Sequence, residues 1–253
     1  MTHRRFYAPP DAFSSDLKNL TLQAEEARHL RDVLRLKPGD RVHVFDGAGK
    51  EFDCSIEEIR KDTTQLQVLA EVAPARPESP LQLTLAVALL KSDKFDLVVQ
   101  KATELGVASV RPVATKLADI RFRDDSDANK RVMRWQRIAL GASKQSGRAL
   151  VPEVTHPISF AELARATDDT GQQKLMFSER EGQSLFEMKS ILGANQQQLT
   201  ALVGSEGGWT DEEISLARDN NWSVVTLGGR TLRAETAAIT AAVLLQYLYG
   251  DLS

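Results

Sequence analysis

Three prolines within seven residues, Pro74-Ala75-Arg76-Pro77-Glu78-Ser79-Pro80, divide this chain into two stretches of different rhythm. Proline fixes φ and removes a backbone donor, so the segment reads as an extended linker over residues 74–80. Before it, apolar residues recur at every second position. Arg41-Val42-His43-Val44-Phe45 alternates, Asp46-Gly47-Ala48-Gly49 supplies a turn, and Glu51–Ile59 resumes the alternation, which together predict a hairpin. Leu66–Leu69 reads as a further strand, Ala24–Leu34 as a short helix, and Lys37-Pro38-Gly39-Asp40 as a turn. Short strands at this density predict a small β-barrel over residues 1–73.

After the linker, residues 81–253 alternate between strand and helix patterns. Leu81–Leu90 is a continuous apolar-leaning run, as a central strand requires. Asp93–Leu105 places Phe95, Val98, Val99, Ala102 and Leu105 on one helical face, and Gly106 stops it. Strands are expected at Val110–Val113, Lys174–Phe177, Leu199–Val203 and Ser223–Leu227, and helices at Lys130–Lys144 and Glu235–Tyr247. Thr210-Asp211-Glu212-Glu213 is a capping box that starts another helix. This alternation predicts an α/β domain with a parallel sheet.

Composition excludes several classes. One cysteine, Cys54, rules out an intramolecular disulfide, and its alternating neighbours Phe52 and Ile56 mark it as a buried strand residue. His3, His29, His43 and His156 show no ligand spacing, so no metal site is expected. No apolar run has the length of a membrane span, and the basic N-terminus lacks the apolar stretch of a secretory signal, so a cytoplasmic protein is expected. The net charge of −3 is not that of a protein that coats nucleic acid by bulk charge, so polyanion binding must come from local patches.

Two segments carry the densest chemistry. Leu202-Val203-Gly204-Ser205-Glu206-Gly207-Gly208-Trp209 runs a strand into glycines and then into a capped helix. Ligands in α/β sheets sit beyond the carboxyl ends of strands, and glycine lets backbone approach them. The spacing is neither a dinucleotide fingerprint nor a P-loop. Thr226-Leu227-Gly228-Gly229-Arg230-Thr231-Leu232-Arg233-Ala234-Glu235 repeats the pattern and adds two arginines and a glutamate. A third stretch, Lys130–Leu150, holds Lys130, Arg131, Arg134, Arg137, Lys144 and Arg148 without a carboxylate, which suits phosphate contacts. Upstream Asp124, Asp125 and Asp127 could equally neutralise it as a solvated helix face. Arg4, Arg5, Arg31 and Arg35 form a smaller basic set beside Phe6 and Tyr7.

Taken with Arg4-Arg5-Phe6-Tyr7, His29-Leu30, Lys91…Lys94-Phe95-Asp96, Gln100–Val107, Gly141-Ala142, Gln145–Arg148 and Pro152, these glycine-rich blocks resemble the bacterial methyltransferases that modify N3 of a uracil in 16S ribosomal RNA. The resemblance covers nearly the whole chain. It implies a PUA-like barrel, then a SPOUT-type parallel sheet ending in a deep trefoil knot. It further implies a homodimer, with 16S rRNA of the small ribosomal subunit as partner and S-adenosylmethionine as cofactor. The family usually has proline where this chain has Ser205, so the fixed φ of proline is lost there.

The resemblance implies a site. Leu202, Val203, Gly204, Glu206, Gly207, Gly208, Leu227, Gly228, Arg230, Leu232 and Arg233 would hold the cofactor, with Leu175 and Phe177 on a third side. Uracil N3 carries a proton and is a competent nucleophile only as the anion, so a proton acceptor or charge stabiliser is needed. Arg233 is the expected stabiliser, and Glu235 or Glu206 the acceptor; each glutamate could instead be structural. Arg4, Arg5, Arg31, Arg35, Lys91, Lys94, Arg134, Lys144 and Arg148 are the expected RNA contacts.

Overall fold

The computed structural model describes residues 4–91, 93–166, 172–193 and 197–252. Its contacts separate two compact units, Met1–Glu78 with Ser143–Val151, and Ser79–Ala142 with Pro152–Ser253. The first division falls inside the proline-rich segment. The return of Ser143–Val151 to the first unit has no counterpart in the sequence pattern.

The first unit has five strands: β1 (Arg5–Tyr7), β2 (Asn19–Gln23), β3 (Arg41–Phe45), β4 (Glu51–Ile59) and β5 (Thr63–Val72). They pair in the order β1-β3-β4-β5-β2, antiparallel except for β1 with β3. In the turn between β3 and β4, the Asp46 carboxylate accepts the backbone N–H groups of Ala48 at 2.7 Å and Lys50 at 3.0 Å. The β4–β5 register shifts twice, at Asp53/Cys54 and Ile56/Glu58. Such bulges bend a strand and increase its twist. The sheet packs around Phe6, Leu20, Leu22, Leu30, Val44, Phe52, Ile56 and Leu66. Helix α1 (Ala24–Arg28) passes into a wider helical turn through Val33, where the sequence predicts a helix.

Buried charge ties the return segment to this sheet. The Arg5 guanidinium donates to Glu51 at 3.2 Å and to the Arg148 carbonyl at 2.7 Å. Glu51, fully buried, also meets His43 Nδ1 at 3.1 Å and accepts the Ala75 N–H at 3.0 Å. Arg148 bonds Glu78 at 2.7 Å, and Glu78 accepts the Leu150 N–H at 3.1 Å. The side chains of Arg5 and Arg148 are only 9% and 6% exposed, so they are withdrawn from the RNA-facing set expected for them. A buried carboxylate that meets a guanidinium, an imidazole and a backbone amide at once is an internal strap, not a docking surface.

The second unit is an eight-stranded sheet. Its strands are β6 (Gln82–Ala88), β7 (Ser109–Ala114), β8 (Glu153–Val154), β9 (Ile158–Ser159), β10 (Gln173–Phe177), β11 (Gln183–Ser184), β12 (Gln198–Val203) and β13 (Ser223–Thr226). The order is β11-β13-β10-β12-β6-β7-β8, with β9 also on β7, and every pairing is parallel. The helices are α2 (Asp93–Glu104), α3 (Asp125–Ser146), α4 (Phe160–Arg165), α5 (Leu185–Leu192), α6 (Asp211–Asp219) and α7 (Ala234–Tyr249). Strands β6 and β12 are almost wholly buried, as central parallel strands covered on both faces must be. Helix α2 buries Phe95, Val98, Val99 and Ala102, the face its spacing predicts. Helix α7 packs on α2, β6 and β12. Its Ala238, Ala241 and Ala242 have no exposed surface, so these small residues serve the chain's own core.

Replacing Glu51 by Gln leaves the Arg5 charge buried without its counter-ion. We expect a loss of about 3 kcal/mol in urea unfolding, the range seen when one partner of a buried pair is removed. Cys54 is fully buried, and burial pushes its thiol up to about 12. Thiol reagents at pH 8 should therefore leave it unmodified in the native protein and label it fully in denaturant.

Candidate active site

Strands β12 and β13 flank β10 on opposite sides, so the chain leaving β12 must cross to the far side of β10. Such a switch in strand order opens a crevice at the carboxyl ends of the strands. A cavity of about 360 Å³ lies there. Phe177, Ser178 and Glu179 form one side, Val203 to Gly208 a second, and Thr226 to Gly228 with Arg230 to Ala234 and Ala237 a third. Two glycine-punctuated strand ends thus meet in space, with the end of β10 between them.

Trp209 sets the geometry of the glycine loop. Its indole N–H donates to the Phe177 carbonyl at 2.8 Å, and the ring is buried against Phe160. A Cβ at Gly204 would stand 3.0 Å from that ring, so only glycine lets the loop leave β12 beneath the indole. Gly208 has φ +70° and donates to the Ser205 carbonyl at 3.0 Å, closing a tight turn. Positive φ here favours glycine. Ser205 is buried, and its hydroxyl has no hydrogen-bond partner. The loop then enters α6 through the predicted box: Glu213 N–H donates to the Thr210 hydroxyl at 3.2 Å, and Thr210 N–H donates to Glu213 at 3.0 Å. Glu213 also accepts the Lys116 N–H at 2.9 Å.

Charge around the cavity is ordered. Lys94 Nζ lies 2.7 Å from Glu206 Oε1 and 3.7 Å from Glu235 Oε2. Burial alone raises the Glu206 carboxyl, but the Lys94 hydrogen bond, its own backbone N–H and the charges of Lys94 and Lys91 together outweigh it and hold the group below the usual carboxylate range. Arg233 occupies the N-cap of α7 without a capping bond, and both it and Arg230 are exposed at the cavity. An exposed guanidinium facing a partly apolar cavity can stabilise developing negative charge. Phe177, Val203, Leu227, Leu232, Ala234 and Ala237 supply apolar wall, and the size falls in the range of small-molecule pockets.

Of the residues expected to hold a cofactor, Phe177, Val203, Gly204, Glu206, Gly207, Gly208, Leu227, Gly228, Arg230, Leu232 and Arg233 line this cavity. Leu175 and Leu202 do not line it; both are wholly buried within their strands. Glu235 also lies outside the lining, and its Oε2 is enclosed without a hydrogen bond. Sequence reading missed Ser178, Glu179, Thr226, Thr231, Ala234 and Ala237. Ser178 and Glu179 directly follow a strand end, the one signal that could have drawn them in.

The basic residues separate by environment. Arg4 is half exposed, 3.8 Å from Asp40, and Arg35 is exposed with φ +52°. Arg31 donates to Asp32 and to the carbonyls of Arg60 and Lys61. Lys144 pairs with Glu26, and Lys91 with Asp119. Arg134 pairs with Asp96, which also accepts the Trp135 indole N–H at 3.1 Å. Asp96 from α2, Glu26 from α1 and Asp127 within α3 itself therefore answer part of the helix charge.

This arrangement defines an α/β ligand-binding enzyme domain joined to a small β-sheet unit. Residues 77–246 match an RNA methyltransferase domain family, and residues 22–69 match an RNA methyltransferase PUA domain family. The chain belongs to the RNA methyltransferase family that includes ribosomal RNA small subunit methyltransferase E. The enzyme of that name from Mesomycoplasma hyopneumoniae is 34% identical, over 88% of this chain and 89% of its own. The Synechocystis enzyme is 31% identical, over 95% of this chain and 76% of its own. The crystal structure of the Neisseria gonorrhoeae enzyme bound to S-adenosylmethionine superposes with a TM-score of 0.86 at 33% identity, over 99% of this chain and 100% of that one.

Gly204→Val should force the Trp209 indole off the Phe177 carbonyl. The expected result is about 2 kcal/mol of destabilisation from overpacking, with a red shift of tryptophan emission in the native state.

Proposed function

We propose that this protein methylates N3 of a uracil in 16S rRNA of the small ribosomal subunit, with S-adenosylmethionine bound in the cavity at the ends of β10, β12 and β13. The observation that carries this reading is the convergence of both glycine loops on one cavity of suitable size. S-adenosylmethionine supplies an already activated methyl group when bound. The protein's part is therefore alignment, hydrogen bonding and charge.

Backbone groups of Val203 to Gly208 and Leu227 to Leu232 hold the adenosine, between the apolar walls of Phe177, Leu227 and Leu232. Arg233 stabilises negative charge on the uracil carbonyl oxygens as N3 loses its proton. Glu206 lines the cavity and Glu235 does not, which makes Glu206 the better-placed proton acceptor. Glu235 belongs instead to the enclosed ion cluster behind the cavity. Arg4, Arg31 and Arg35 of the first unit grip RNA, and the exposed basic side chains of α3 are a further contact; the target base must leave its stack to be reached.

The same reading extends to topology and assembly. After crossing β10 the chain returns as α7 to pack on β12 and β6, which supports reading the C-terminal part as a trefoil knot. Leu97, Val243 and Tyr247 remain exposed on the paired helices α2 and α7, an apolar face suited to a second copy in a homodimer. No helix among the described residues is long and apolar enough to cross a membrane, and a ribosomal substrate fits a cytoplasmic enzyme.

Incubation with methyl-labelled S-adenosylmethionine and small subunits lacking the modification should place label on uracil N3, mapped by mass spectrometry. Label on a ribose or another base would overturn the assignment. Arg233→Gln should lower turnover by about a hundredfold while calorimetric cofactor affinity changes by less than about threefold.

A further inference from the structure

We propose that Lys94 is a positioning residue that pins the two loop walls of the cavity to each other, and not a contact to RNA phosphate. Lys94 stands in the first turn of α2. Its ammonium is 2.7 Å from Glu206 on the loop after β12 and 3.7 Å from Glu235 in the first turn of α7. Glu235 follows Arg233 by two residues, so whatever fixes Glu235 also fixes the register of the Arg233 guanidinium. One cation thereby joins the wall that carries the glycine turn to the wall that carries the arginine.

Burial supports the role. Glu235 is 13% exposed at its side chain, and the oxygen facing Lys94 is enclosed without a hydrogen bond. A carboxylate so placed needs a nearby opposite charge, and Lys94 provides one. Lys94 is itself only 32% exposed. An ammonium engaged by two carboxylates has little net charge left for a phosphate. Its neighbour Lys91 is likewise held, by Asp119, so the two lysines do not form a free basic patch.

The inference rests on the methyl-transfer reading only in using that cofactor as the probe. Lys94→Met and Lys94→Arg are compared with the wild type in the full chain, with thermal melts to confirm folding. Lys94→Met should bind S-adenosylmethionine about tenfold more weakly. Its turnover should fall with an unchanged KM for RNA and an unchanged salt slope of RNA binding. Lys94→Arg should recover most of the cofactor affinity, and Lys94→Met combined with Glu206→Gln should lose no more cofactor affinity than Lys94→Met alone, its turnover being left out of this comparison because Glu206 is the proton acceptor. Unaltered cofactor affinity in Lys94→Met, with weaker RNA binding and a salt slope reduced by about one, would overturn the proposal. Absence of cofactor uptake by the wild type overturns the methyl-transfer reading as well, whereas uptake that Lys94→Met leaves intact overturns this inference alone.

Discussion

The cavity at the strand ends depends on one indole. Trp209 reaches back from the end of the glycine loop to hydrogen-bond the Phe177 carbonyl, and its ring lies against the only kind of residue that Gly204 could be. That contact ties the carboxyl ends of β10 and β12 together where they would otherwise diverge. The cavity then needs only the loop after β13 to close its third side. The indole N–H also donates to the Phe177 carbonyl at the strand end, a buried hydrogen bond that the loop would lose with the ring. Steric demand and hydrogen bonding thus act through the same side chain.

Much of this was legible in the sequence. The bounds of β3 and β4 follow directly from alternation and a glycine turn, and the α6 start follows from Thr210 and Glu213. The two glycine loops were visible as strand ends, and most of the residues named there line the cavity. Other features were hidden for physical reasons. β1 is three residues long and takes its strand form from pairing with β3, so it carries little pattern of its own. Helices α4 and α5 have reciprocal boxes at Ser159/Glu162 and Ser184/Glu187, the same signal as Thr210/Glu213, but at six and eight residues they repeat the helical period too few times to stand out. Lys94 and its carboxylate partners are more than a hundred residues apart, so no local window could join them.

Arginine and lysine illustrate why residue type alone does not assign a role. Arg5 and Arg148 look like surface cations in the sequence, yet both are enclosed and matched by Glu51 and Glu78. Arg134 and Lys144 have carboxylate partners on other elements, Asp96 and Glu26. Arg35 and Arg233, by contrast, remain exposed, one in the PUA domain and one at the cavity. A chain with net charge −3 can present basic groups to a polyanion only by spending its carboxylates selectively elsewhere.

The first unit is discontinuous in the chain, and this shapes how the protein is made. Its sheet strands are all synthesised by Val72, but Arg148, the Leu150 amide and the carbonyls that receive Arg5 arrive only with the segment ending at Val151. During translation Glu78 must wait, solvated and without Arg148, while more than sixty further residues emerge. The first unit therefore cannot mature before β6, α2, β7 and α3 of the second have been synthesised. Assembly of the two units is coupled by chain order even though each has its own core.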